Sequence, residues 1–174
     1  AGARGGLMGL PTERVPVMHD AIVIGGGIVG AATAYHLARD GATTLLIDRE
    51  DAGRATDAGA GIVSPETSAD PSEFALAAAA YYPGLVAELE STAGVDAGYD
   101  RPGRLVVAAD EDERRAFETT RDAVLDRQWR TGAPGEEAIY ELAPEEAAER
   151  FPPLGEVAGA LYYEDGGRVD GRQL

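Results

Sequence analysis

The stretch "HDAIVIGGGIVGAATAYHLARDGATTLLIDRED", residues 19–51, decides the fold. Ala21, Ile22, Val23 and Ile24 make a short apolar run with β-branched members, as expected of a buried parallel strand. Three glycines follow it. Residues 28–40 then read as a helix, and Gly41 stands at its end, where a residue free to adopt positive φ stops the coil. Residues 43–48, "TTLLID", read as a second buried strand. Strand, helix and strand within about 30 residues make a βαβ unit, and its crossover should be right-handed.

The glycines carry chemistry as well as geometry. Gly25, Gly27 and Gly30 form G-x-G-x-x-G directly after a strand and at the opening of a helix. The first permits a tight turn, the second lets backbone approach a pyrophosphate, and the third lets helix pack on strand. The helix start adds free N–H groups and a positive dipole end, worth about 0.3–1 kcal/mol to an adjacent anion. Asp48 ends the second strand, with 17 residues between it and Gly30. There a carboxylate can accept hydrogen bonds from ribose hydroxyls, each charge-assisted bond contributing about 1.5–3 kcal/mol. Glycines, helix, strand and acid in this order indicate a dinucleotide site, and a free 2′-hydroxyl fits FAD or NAD better than NADP.

Composition excludes several classes. The 174 residues suffice for a substantial core. The net charge of −16 repels phosphate backbones, which argues against nucleic acid and anionic membrane as partners. There is no cysteine, hence no disulfide and no thiolate chemistry. Two histidines, His19 and His36, lack metal-ligand spacing, so no metal is expected. No apolar run approaches the roughly 20 residues that span a bilayer. Residues 1–18 are Gly- and Arg-rich without a hydrophobic core, so they read as a disordered tail and not a signal peptide. A cytoplasmic protein is the expectation, with peripheral membrane association and oligomeric state left open.

Beyond Asp48, residues 49–71 read as one long Gly/Ala/Ser/Thr loop. Residues 72–93 read as helix interrupted near Pro83-Gly84; 103–110 as strand; 110–130 as an amphipathic helix with Phe117, Val124, Leu125 and Trp129 apolar. Phe117 and Trp129 are expected in core or interdomain contacts, and the pairs Tyr81-Tyr82 and Tyr162-Tyr163 in core packing. A short strand at 138–143 and a helix opened by Pro144 follow. Residues 157–171 read as a strand pair or strand and turn around "DGG", and "GRQL" as the opening of another helix.

Residues 53–65, "GRATDAGAGIVSP", separate FAD from NAD. Arg54 and Thr56 can reach phosphate oxygens, and Gly59, Ala60, Gly61 and Ile62 offer nearly bare backbone to a flat ring system. A nicotinamide site has no need of such a segment and would be followed by regular βα units. The competing reading is a flexible linker, since linkers share this composition.

These residues, with "GRLVVAADEDE" and the terminal "GALYYEDGGRVDGRQL", resemble the D-amino-acid oxidase/glycine oxidase/sarcosine oxidase superfamily of FAD-dependent oxidoreductases. The resemblance runs from about residue 19 to the last. It implies an α/β fold: a Rossmann-like FAD-binding βαβ with its flavin loop over 19–71, the start of an inserted α+β substrate domain over 72–155, and a return toward the FAD domain over 156–174. It implies Gly25, Gly27, Ile28, Val29 and Gly30 at the pyrophosphate, Asp48 at the adenosine ribose and Arg49 beside the adenine. It further implies Arg54 and Thr56 near the phosphates, with Gly61 and Ile62 close to the flavin ring. The implied reaction is oxidation of the CH–NH bond of a small amino acid or secondary amine by hydride transfer to flavin. Such enzymes run to about twice this length, so the resemblance implies a chain cut at its C-terminal side. The groups that take the substrate carboxylate then lie mostly beyond residue 174, and no catalytic residue is assignable here. Two rivals stand: an FAD-dependent dehydrogenase of a hydroxy acid or glycerol phosphate, and a non-enzymatic fragment whose sheet edges and apolar faces are left bare.

Overall fold

The structure is a computed structural model and describes residues 17–94, 96–135 and 137–174. The tail expected over 1–18 falls almost wholly outside them. The chain divides into two compact units, one ending at Arg54 and the other running from Ala55 to Leu174.

The first unit is the βαβ. Strands β1 (Ala21–Ile24) and β2 (Thr44–Ile47) pair in parallel, Ala21 opposite Thr44 and Ile24 opposite Ile47. Asp20 fixes the register at one end: its amide donates to the Thr43 carbonyl at 2.9 Å, and its carboxylate accepts from the Thr43 amide at 2.9 Å. Helix α1 (Ile28–Arg39) connects the strands. It ends in a Schellman motif, the Gly41 amide donating to Ala38 and the Ala42 amide to Leu37, with Gly41 at φ +94°. Buried strands were expected, yet Ile22, Ile24, Leu46 and Ile47 are exposed. The reason is geometric: one helix covers one face of a sheet, and a parallel sheet needs cover on both.

The second unit is α+β. Residues 49–71 are not one loop. They hold a single helical turn, α2 (Ala55–Ala58), strand β3 (Ile62–Val63) and a 3₁₀ turn (Pro65–Thr67). Helix α3 (Glu73–Ala93) is capped by Ser72 and closed by Gly94 at φ +66°. The break expected at Pro83-Gly84 does not occur, because strong helix formers, chiefly alanine, flank the missing backbone bond. Strands β4 (Tyr99–Asp100) and β5 (Arg104–Ala108) lead into α4 (Glu111–Thr131), then β6 (Ile139–Leu142), α5 (Pro144–Arg150), β7 (Gly159–Tyr163) and β8 (Gly167–Val169).

Strand β7 is the centre of an antiparallel sheet ordered β5-β7-β6. Successive residues face opposite ways, so Leu161 and Tyr163 join Ala108, Phe117, Val124 and Ile139 beneath α4, while Ala160 packs with Ala147 and Val157 on the other side. Strand β8 turns away at Gly166 into a second sheet, ordered β3-β8-β4. The "DGG" segment is therefore strand and turn and not a hairpin.

Trp129 is 85% exposed and has no place in this core. Helix α4 turns about 100° per residue, and its inward row is Phe117, Val124 and Gln128, which rotates Trp129 off it. The buried Gln128 is satisfied by donating to the Gly135 carbonyl at 2.8 Å. Tyr162 and Tyr163 are buried as expected, whereas Tyr81 is 41% exposed.

Candidate functional site

In the first unit the turn between β1 and α1 is built around close backbone contacts. Gly25 sits at φ +107°, and its amide donates to the Ile47 carbonyl at 2.8 Å. Gly27 caps α1 in extended conformation, its carbonyl accepting from the Ala31 amide at 2.9 Å. A Cβ on Gly30 would stand 1.7 Å from the Gly25 carbonyl oxygen, so only glycine fits there. The turn thus presents backbone amides at the N-terminus of a helix, the standard setting for an anion. Ile28 and Val29 form the first helical turn, Val29 with its side chain in solvent.

Asp48 follows β2 and faces the turn. One carboxylate oxygen accepts from the Gly26 amide; the other accepts from the Glu50 amide at 2.6 Å and from Arg54 at 2.5 Å. Arg54 also donates to the Gly26 carbonyl at 3.4 Å. The Gly26 amide, then the Glu50 amide, hold the Asp48 carboxyl below its ordinary pKa; burial opposes them, and Arg54 and Arg49 add to them. Asp48 is accordingly an anion at neutral pH with hydrogen-bond capacity for hydroxyl donors. A cavity of about 540 Å³ opens beside it, walled by Ile24, Gly25, Arg49, Ala52 and Arg54 among others. Arg49 pairs with Asp51 at 2.8 Å on the surface.

The structure therefore brings Gly25, Gly27, Gly30, Asp48, Arg49 and Arg54 together within one unit. Thr56, Gly61 and Ile62 belong to the other. Thr56 lies in α2 against Gly171, where an added Cβ would come 3.0 Å from its carbonyl oxygen. Gly61, at φ +66°, accepts from the Val169 amide at 2.8 Å, and a Cβ there would strike the Val169 carbonyl at 1.8 Å. Ile62 pairs with Arg168 across β3 and β8, and is 59% exposed.

Gly26 was missed by sequence reasoning. It occupies the x of G-x-G, yet a Cβ on it would lie 3.0 Å from both Cβ and Cγ of Asp48. The signal was present as the third consecutive glycine opposite an acid. Glu50, held at φ +57° beneath Asp48, had no comparable signal. Among the described residues no cluster of His, Asp and Glu is placed to hold a metal ion, and no helix is long and apolar enough to cross a membrane.

The cradle fits the adenosine and pyrophosphate part of FAD: a turn that admits no side chain at Gly30, an ionised acid for ribose hydroxyls, and a cavity beside both. Comparison with known proteins points to the same cofactor. Residues 20–174 match the family described as "DAO: FAD dependent oxidoreductase". The oxidoreductase YurR of Bacillus subtilis (strain 168) is 36% identical over 166 residues, which cover 90% of this chain and 42% of that protein. The crystal structure of iminodiacetate oxidase from Chelativorans sp. BNC1 superposes with a TM-score of 0.76 at 37% identity, over 88% of this chain and 41% of the other. Glycine oxidase from Bacillus cereus ATCC 14579 gives 0.71 at 30% identity, over 90% and 41%. The chain thus spans about two fifths of the length of these relatives.

Proposed function

The chain belongs to the FAD-dependent oxidoreductase family, and on that footing we propose that it is the N-terminal part of an enzyme oxidising the CH–NH bond of a small amino acid or secondary amine. The βαβ cradle, with Gly30 closed against Gly25 and Asp48 ionised at the end of β2, supports FAD as the cofactor, and the amine substrate is supported by what similar structures are named for. Two similar structures are named as oxidases of iminodiacetate and of glycine, and both compounds carry an amine nitrogen beside a CH₂ group.

FAD, when bound, supplies the two-electron acceptor. The residues of this chain bind and orient. Gly25, Gly27 and Gly30, with the amides of Ile28 and Val29, receive the pyrophosphate, and Asp48 takes the ribose hydroxyls with Arg49 beside the adenine. Arg54 and Thr56 serve the phosphates, and Gly61 and Ile62 give the flavin ring a backbone surface without bulk. We assign residues 19–71 to the FAD-binding βαβ and flavin loop, 72–155 to the start of the substrate domain and 156–174 to the return toward the FAD domain.

The test is to purify the protein from its source and record its visible absorption, then add small amino acids and secondary amines without oxygen. A bound flavin spectrum bleached by an amine supports the reading. Bleaching by a hydroxy acid or glycerol phosphate alone replaces the substrate class, and a colourless protein removes the enzyme.

A further inference from the structure

Arg104 opens β5 in the second unit and points its guanidinium at the backbone of Ser64, donating to that carbonyl at 3.2 Å. Ser64 is 2% exposed and held in place, because its carbonyl also accepts from the Thr67 hydroxyl at 2.9 Å. The guanidinium is half-buried, and burial pulls its pKa down with no carboxylate to offset the cost. An arginine stays charged even so.

Its neighbours show how unusual this is. Arg101 pairs with Asp165 at 2.7 Å. Arg127 donates to the carbonyls of Glu66, Ser68 and Ala69, with the charges of Glu66 and Asp70 acting on it. Both are fully employed in holding the fold. Acids outnumber bases 31 to 15 in this chain, so a cation lacks no candidates for pairing. Among the described residues, the Arg104 side chain makes one hydrogen bond and no ion pair.

Arg104 lines an open depression of about 480 Å³. Ala75, Ala78 and Ala79 of α3 form one wall, and Tyr82 and Ser68 bring hydroxyls. Ile62, the residue assigned above to the flavin ring, also lines it. A planar fork with free donors, at the edge of an open and largely apolar depression, matches a carboxylate in a bidentate pair. A phosphate dianion would call for more than one cation.

We propose that Arg104 and this depression bind a second carboxylate of the substrate, so that the enzyme takes amines bearing two carboxylates, of the N-carboxyalkyl amino acid type. This rests on the reading above, in which the groups for the carboxylate beside the amine lie mostly beyond residue 174. Arg104 is then additional to them and takes a group that glycine does not carry.

The experiment compares dianion with monoanion in the FAD-loaded protein. Glutarate is N-(carboxymethyl)glycine with CH₂ in place of NH, and butyrate lacks one of its carboxylates. Their dissociation constants are read by calorimetry in wild type, Arg104→Gln, Arg104→Lys and Ala78→Leu, with circular dichroism to verify folding. Wild type is expected to prefer glutarate by about ten- to a hundredfold, the value of one charge-assisted pair. Arg104→Gln should abolish the preference and Arg104→Lys keep part of it. Ala78→Leu fills the depression without touching the charge and should weaken glutarate binding at least tenfold, which decides the matter if the Gln variant fails to fold. Equal affinities in wild type, or a preference that survives Arg104→Gln or Ala78→Leu, overturn the proposal. If the preference follows Arg104 but no amine bleaches the flavin, the carboxylate site stands and the amine-oxidising reading falls. In kinetics, the kcat/KM of N-(carboxymethyl)glycine over sarcosine should drop tenfold or more in Arg104→Gln.

Discussion

Arg54 and Asp48 form an ion pair at 2.5 Å across the cavity mouth, and the Gly26 amide holds the other carboxylate oxygen. The two residues were assigned to different parts of one ligand, Asp48 to ribose and Arg54 to phosphate, and in the free chain they bind each other. Their contributions to FAD affinity should therefore differ. Asp48→Asn preserves shape but removes the charge, and is expected to weaken FAD by about 10- to 100-fold, the worth of charge-assisted bonds of about 1.5–3 kcal/mol. Arg54→Gln gives up phosphate attraction but frees Asp48 from a partly exposed pair worth about 0–1 kcal/mol. Its net effect should be below about tenfold. Flavin fluorescence titration of the apoprotein checks both, and a larger loss in Arg54→Gln would reverse the assignment of the dominant anchor.

The same carboxylate predicts a pH dependence. Asp48 has its pKa lowered in the folded state, first by the Gly26 amide and then by that of Glu50. A depressed carboxylate stabilises the fold above its unfolded pKa of about 4, and that contribution is lost as pH falls through the lower folded value. Wild type should thus exceed Asp48→Asn in urea midpoint at pH 7, and the gap should close as pH falls below the ordinary carboxylate range. A gap independent of pH would mean that the amide contacts do not favour the charged form.

Gly30 and Gly26 separate two reasons for a glycine. In Gly30→Ala the new Cβ meets the Gly25 carbonyl oxygen at 1.7 Å, backbone against backbone, so the whole turn must shift. Overpacking of this kind costs about 1–3 kcal/mol, and both thermal stability and FAD binding should fall. In Gly26→Ala the Cβ lies 3.0 Å from the Asp48 side chain, which can yield by a few tenths of an ångström. Stability should hardly change, while FAD affinity drops because Asp48 is displaced. Melting curves with and without FAD distinguish the two.

How much of this was legible in the sequence depended on whether a residue's role was local. The βαβ unit, the Gly41 stop and the Asp48 position follow from short-range spacing, and they appear in the structure at the expected places. Strand burial did not follow, because cover for Ile24 or Ile47 depends on what packs there and not on the strand. Residues 61–63 read as loop since two-residue strands carry no periodicity; only pairing with Arg168, over a hundred positions away, makes them a strand. Pro83 looked like a break because its local cost is large, yet the surrounding helix formers outweigh it. Arg104 was invisible as a site residue. One arginine at the start of a strand has no pattern, and its isolation emerges only once Arg101 and Arg127 are seen with their partners.

The core of the second unit offers a test away from any ligand. Tyr163 is 6% exposed, and its pKa is pushed up to about 12, chiefly by burial and then by the charges of Glu66 and Asp165. In the unfolded chain a tyrosine ionises near 10. Because the folded value is the higher one, the stabilisation linked to a neutral Tyr163 is complete below pH 10 and is lost as pH rises toward 12. Tyr163→Phe cannot ionise and escapes this loss. Denaturation of the two proteins should diverge between pH 10 and 12, wild type falling faster than the variant. At pH 7 the two should stay within about 1 kcal/mol, as volume-conserving core changes do. An ultraviolet titration of the folded protein reads the same event directly: one tyrosine present in wild type and absent in Tyr163→Phe should ionise about two pH units later than an exposed one. If that late component is missing, the hydroxyl reaches water, and the packing of β7 under α4 is looser than its burial implies.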